Sequence, residues 1–205
     1  MRTEDLIRAL ADDSAMRSEP LIRRFITLAT IGVLGAACVF AITLTPRADL
    51  GAVIGTPRVA FKFVATLTLI GVAGVFAFRA TRPEAKPKLR AILAPVLTLL
   101  AVAIVAELIA SPPAAWLPLL IGTNALACLA LVPLLSLVPL GAILTALRYG
   151  APSDPRLAGA AAGRPTSYAT HCVDDSPLFV AAWYGLSITV VAILGAALGA
   201  RTLRS

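Results

Sequence analysis

Charge is scarce in this chain. Asp, Glu, Lys and Arg make up 14% of its 205 residues, where soluble domains carry about a quarter. That shortfall leaves no sizeable soluble domain. Histidine occurs once, at His171, and cysteine three times, at Cys38, Cys128 and Cys172. Three thiols cannot all pair within one chain. The absence of any Cys-x-x-Cys argues against a thioredoxin-like redox centre or a zinc ribbon. Carboxylates are too sparse to line a proton relay, and there is no repeated pair of broken helices, which disfavours a transporter. No nucleophile, base and orienting group stand in a recognisable set, which disfavours an enzyme. The net charge is +7, yet its cations are not interleaved with aromatics, so direct nucleic-acid binding is not expected.

What the chain does have is apolar length. Hydrophobic residues make up 59% of it, in runs that match the roughly 20 residues needed to cross hydrocarbon as a helix. Runs at 25–44, 59–78, 91–110, 124–147 and 178–200 read as spans. Pro118, Pro133 and Pro139 are expected to punctuate and kink the long apolar stretch that begins at Trp116, itself placed as an interfacial anchor. A further span over 155–172 is interrupted by Gly163-Arg164-Pro165-Thr166-Ser167. A central arginine costs about 2.5–3.5 kcal/mol on insertion scales, and a proline removes a backbone hydrogen bond. The expected fold is therefore all-α: a polytopic membrane helical bundle of about six transmembrane helices, the fifth short or broken. Gly195-x-x-x-Gly199 in the last span is a face for close helix packing.

Two regions follow, a tail over 1–20 and a membrane domain over 21–205. The tail carries Glu4, Asp5, Asp12 and Asp13 and has no apolar core, so it does not read as a cleavable signal. Thr3 can cap a short helix with Glu4 and Asp5 in its first turn, and Leu6, Ile7 and Leu10 form one stripe. Such a short helix is marginal alone. It is either a solvated tail or a segment that orders against a partner.

Charge bias sets the expected topology. With both termini inside, the inner side takes Arg2, Arg8, Arg17, Arg23, Arg24, the basic loop Arg79–Arg90, Arg148, Arg156, Arg201 and Arg204. The outer side keeps Arg47, Arg58 and Lys62, with Lys62 expected to snorkel to the interface. Glu107, near the outer end of its span, is expected to reach headgroup water. All three thiols then lie in the outer half. Cys38 reads as a small apolar residue.

The remaining polar island, Tyr168 to Pro177, holds His171, Cys172, Asp174 and Asp175. Its chemistry stays open between a Cys128–Cys172 disulfide and a soft-metal site made by Cys128, Cys172 and His171. A thiolate beside an imidazole is also more nucleophilic than a lone buried thiol. The plainer alternative is an ordinary helix start, with Ser176 as cap and Pro177 at the first position.

Thr3-Glu4-Asp5-Leu6-Ile7 with Leu10-Ala11, Gly55-Thr56-Pro57-Arg58, Cys128 with Pro133 and Pro139, Gly150-Ala151-Pro152, and His171-Cys172 before Ser176-Pro177 and Trp183-Tyr184 together resemble the NrsF-type membrane anti-sigma factors. The resemblance covers nearly the whole chain. It implies a bacterial inner-membrane, multi-pass protein with both termini cytoplasmic. Its partner would be an extracytoplasmic-function (ECF) sigma factor, sequestered by Thr3, Glu4, Asp5, Leu6, Ile7 and Leu10 and released on heavy-metal or oxidative stress. Cys128 and Cys172 match the family's paired sensing cysteines, with His171 beside them. No cofactor is required on this reading beyond a transient soft-metal ion. The interrupted fifth span is the departure from the family's pattern. The competing readings are a structural or assembly membrane protein with inert cysteines, and a small metal or solute transporter.

Overall fold

The structure is a computed structural model that describes residues 3–5, 21–80, 89–149, 154–160 and 168–203. Among these the elements are helical. The long ones are α1 (Leu21–Thr43), α3 (Pro57–Ala80), α4 (Leu89–Ala110), α6 (Ala125–Arg148) and α8 (Pro177–Thr202). Short helices α2 (Leu50–Val53), α5 (Pro113–Ile121) and α7 (Pro155–Ala160) lie between them. Pro57, Pro113, Pro155 and Pro177 each open a helix. Proline suits that place because its ring pre-sets the helical φ and its missing N–H has no intrahelical partner there. Prolines also lie inside helices, at Pro95 in α4 and at Pro133 and Pro139 in α6, where α6 continues through both.

Five stretches among the described residues are long and apolar enough to cross a membrane. One of them, Pro113–Arg148, is 36 residues long. A turn at Gly122 divides it into α5 and α6. Gly122 has φ of 60°, a left-handed geometry that a side chain resists. A Cβ there would also collide with Phe179 and the Asp174 carboxylate. The lead-in from Trp116 is thus a helix of its own, with the Trp116 indole donating to Ser111 O at 3.0 Å.

The bundle has two ends with separate cores. One core contains Phe25, Ala77, Leu140, Leu147 and Ala158, with Leu203 against it. It gathers the start of α1, the ends of α3, α6 and α8, and α7. The other contains Phe40, Cys128, Tyr168, Cys172, Phe179 and Tyr184. It gathers the end of α1 and the starts of α6 and α8. Cys172 therefore lies at the opposite end of the bundle from the start of α1, and Thr202 returns to the end where α1 begins.

The expected fifth span is only partly described. Helix α7 lies against α8 with Gly159 on Gly195 and Gly199, and these contacts leave no space for a Cβ. The small-residue face of α8 is thus used for packing. The chain is at the α7 end at Ala160 and at the Cys172 end by Tyr168. Arg164 and Pro165, which join them, lie outside the described residues, as does most of the basic loop at 79–90. Thr3, Glu4 and Asp5 are helical and exposed, whereas Leu6, Ile7 and Leu10 fall outside the described residues.

Candidate functional site

At the Cys172 end, the loop 168–176 is tied to three other parts of the chain. A short 3-10 turn over Tyr168–Thr170 starts it. Thr170 O accepts from Arg47 N at 3.1 Å, and Thr45 O lies 2.6 Å from His171 Nδ1. The loop after α1 is thereby stitched to the loop before α8. Cys172 O accepts from Lys62 Nζ at 2.7 Å, which ties the same loop to α3. Asp174 accepts from Asn124 N at 2.8 Å and Thr123 N at 3.1 Å, the backbone donors just before α6. A carboxylate there meets the positive end of the helix dipole.

Asp175 is the centre of the charge network. It accepts from Arg47 Nη1 at 2.6 Å on one oxygen and is paired with Lys62 Nζ on the other. Arg47 also forks onto Asp49. The Asp49 and Asp175 carboxylates hold the Arg47 guanidinium well above its ordinary range, with the Asp49 hydrogen bond foremost, and Arg47 in turn pulls Asp49 below the usual carboxylate value. Beside this network Arg58 forks onto Glu107, Nη2 to Oε1 at 2.6 Å and Nε to Oε2 at 3.2 Å.

Two expectations are corrected here. Lys62 does not snorkel: it is 1% exposed, because an acceptor carbonyl and a carboxylate from 110 or more residues away meet it inside the bundle. Glu107 does not reach headgroup water: it is 6% exposed, and Arg58 satisfies it instead. A buried ion is tolerated only with such a partner. The expected helix start does form: the Ser176 side chain accepts from Leu178 N, with Pro177 in the first turn.

The candidate sensor residues Cys128, Cys172 and His171 are brought together only in part. Cys128 and Cys172 share one buried core and are free thiols. Cys128 contacts Ser187 Oγ at 3.9 Å, and the Cys172 thiol donates to Asp174 O at 3.8 Å. His171 is not paired with either sulfur. Its ring turns to Thr45 O and packs near Phe40 and Tyr168, so the imidazole–thiolate pair does not form. Among the described residues no group of three or more His, Cys, Asp and Glu side chains is placed to hold a metal. Cys128, Cys172 and His171 are therefore not a preformed ligand set. Burial pushes the Cys172 thiol up, which keeps it neutral at pH 7, the opposite of an activated thiolate. Cys38 is exposed on the bundle surface.

Sequence reasoning missed the tyrosines. Tyr168 and Tyr184 enclose the sulfurs, with ring centroids 6.0 Å apart. Both hydroxyls are buried, and among the described residues neither has a nitrogen or oxygen partner, which leaves the Cys172 sulfur as the polar group beside them. Tyr184 belongs to a π-helical turn, Val180–Tyr184, in α8. Such turns recur at functional sites. In the same turn the Trp183 indole donates to Leu120 O at 2.9 Å. The adjacent Trp183-Tyr184 was the available signal.

Both sulfurs are buried, and the Cys172 backbone is itself part of the tie to α3, so a change at Cys172 bears directly on that tie.

Comparison with known proteins gives a consistent result. The family described as "Negative regulator of sigma F" matches residues 10–204. The chain is 36% identical over 214 residues to the anti-sigma-F factor NrsF of Caulobacter vibrioides, with all of both chains covered. It is 32% identical over 214 residues to the probable anti-sigma-F factor NrsF of Azospira oryzae, again with all of both covered. No solved structure matches.

Proposed function

Since the chain belongs to the family of negative regulators of sigma F, we propose that it is a membrane anti-sigma factor whose amino-terminal segment Thr3–Leu10 retains an ECF sigma factor. Glu4 and Asp5 give the segment its charged first turn, and Leu6, Ile7 and Leu10 give it one apolar stripe to bury on a partner. The membrane domain sits in the bacterial inner membrane with both termini cytoplasmic, a reading supported by the charge bias and by the common end shared by the start of α1 and Leu203.

Release is controlled from the Cys172 end. The observation that carries this is a single loop in which Cys172 O holds Lys62 while Asp174, two residues on, holds the start of the helix bearing Cys128. Oxidation of Cys128 or Cys172, or capture of a soft-metal ion by them, enlarges or reshapes a buried core. The loop then shifts, the Lys62 and Asp174 ties weaken, and α3 and α6 repack along their length. The two states bind the sigma factor differently, which is the condition for any signal to pass.

The test is co-purification of a candidate ECF sigma factor co-expressed with this chain. Leu6→Asp is expected to lose it, and equal recovery with both chains removes the tail from the scheme. In cells given chromate or cadmium, Cys128→Ser and Cys172→Ser are expected to hold the sigma factor when the parent chain releases it. An unchanged response clears the thiols.

One observation favours a second reading, a structural membrane protein with inert cysteines: Cys128 and Cys172 are both buried and Cys172 is held neutral. Thiol labelling in intact cells separates the two. On the sensing scheme, stress makes Cys172 reactive; on the inert one it stays unlabelled throughout.

A further inference from the structure

A cleft of about 770 Å³ opens beside the charge network, between α3, α4, α5 and the loop before α8. Its size falls within the usual range for a small-molecule site. One part of its lining is apolar, from Phe61, Ala103 and Ala106. The other part is ionic, from Arg58 and Glu107 on one side and Asp174 and Asp175 on the other.

The Arg58 side chain is 49% exposed. It engages Glu107 through Nε and Nη2, which leaves Nη1 for another acceptor. A guanidinium suits phosphate oxygens in this role. Across the cleft, Asp174 and Asp175 present carboxylate oxygens. Asp175 is already shared by two cations, Arg47 and Lys62, whereas the donors on Asp174 are the neutral groups of Thr123 and Asn124, so Asp174 brings a carboxylate charge that they do not balance. The cleft thus presents a cation and carboxylates side by side, above an apolar floor between two membrane helices.

We propose that this cleft binds a phospholipid with a phosphoethanolamine headgroup at the Cys172 end of the bundle. The phosphate meets Arg58, the ammonium meets Asp174, and the glycerol and upper acyl chain lie along Phe61, Ala103 and Ala106. A primary ammonium brings three N–H donors to the carboxylate. A phosphocholine brings none, and a phosphoglycerol lacks the positive charge. The apolar floor distinguishes a lipid from a free headgroup of the same chemistry. This site does not depend on cysteine sensing.

The test is native mass spectrometry of the full chain, purified in detergent and given equal amounts of phosphatidylethanolamine, phosphatidylcholine and phosphatidylglycerol. The expected result is retention of the ethanolamine lipid by about tenfold over either competitor, the ratio set by one well-placed charge-assisted contact. Arg58→Gln strands the Glu107 carboxylate, so the decisive variant is Ala106→Trp, which keeps every charge and fills the floor. It is expected to retain all three lipids equally, and free phosphoethanolamine is expected not to bind the parent chain. Equal retention of the three lipids by the parent chain, stronger retention of the anionic lipid, tight binding of the free headgroup, or a preference that survives Ala106→Trp would each overturn the proposal.

Discussion

The two ends of the bundle are held by different forces. At the α7 end, glycines meet glycines, with Gly159 on Gly195 and Gly199. Phe25 packs on Phe78 at 5.6 Å, and Arg24 lies 5.0 Å from the Tyr149 ring centre. These contacts depend on shape, and they change little with chemistry. At the Cys172 end, Lys62, Arg47 and Asp175 form a charge network, buried at Lys62, that ties loops from distant parts of the chain. A network of that kind is satisfied in one arrangement only, and losing a member strands the others. The end with two buried thiols is also the end held by the charge network. On the proposed sensing scheme the Cys172 end responds and the glycine-packed end transmits.

The difference can be broken most forcefully at Lys62. Lys62→Met leaves Asp175 with one cation and Cys172 O with no donor. It is expected to cost about 3–5 kcal/mol, the range for splitting a buried pair, read as a lowered midpoint of thermal unfolding in detergent. Gly195→Val attacks the other end. Its side chain would strike the Gly159 backbone, and overpacking of this sort costs about 1–3 kcal/mol. The same thermal measurement checks it, and the response of Cys172 to labelling should stay unchanged. Asp174→Ala removes an ionised acceptor from the start of α6 and is expected to cost about 1.5–3 kcal/mol, with faster hydrogen exchange at Thr123 and Asn124. Arg24→Ala at the α7 end should cost about 0.5–1 kcal/mol. If Lys62→Met proves as mild as Arg24→Ala, the contrast between the ends is wrong.

pH sharpens the same contrast. Arg47 lowers the Asp49 carboxyl below its ordinary 3.8. Its contribution is therefore present above that value and is lost as pH falls through the lower folded one. Acidification below about pH 4 should loosen the loop after α1 while the α7 end keeps its packing. Burial raises the Cys172 thiol above its ordinary 9.0, so the folded state favours the neutral form. That contribution is present below pH 9 and fades above it. Alkylation of Cys172 should accordingly be slow at pH 7 and rise at a higher pH than in the unfolded chain.

Much of the fold was legible because helix length and proline placement are local signals. Apolar runs located the long helices, Ser176-Pro177 marked the start of α8, and Gly195-x-x-x-Gly199 marked its packing face. The charge network was not legible. Lys62 and Asp175 are 113 positions apart and Arg58 and Glu107 49 apart, and nothing in the sequence pairs them. Read alone, Lys62 and Glu107 were each assigned to water at the membrane surface. His171 beside Cys172 suggested an imidazole–thiolate pair because they are neighbours in sequence, yet the 3-10 turn sends the ring toward Thr45 and the sulfur into the core. The π-helical turn at Val180–Tyr184 leaves no signature in composition.

The central claim is that the loop around Cys172 governs sigma-factor retention at the other end of the bundle. The most direct test is Asp174→Asn, which keeps the side-chain shape and removes its charge from the start of α6. The sigma factor co-purified from unstressed cells is measured against the parent chain, with folding checked by unchanged helical content. The account predicts a several-fold fall in retained sigma factor with the amino-terminal segment intact. Retention equal to the parent chain, together with a normal stress response, would contradict it.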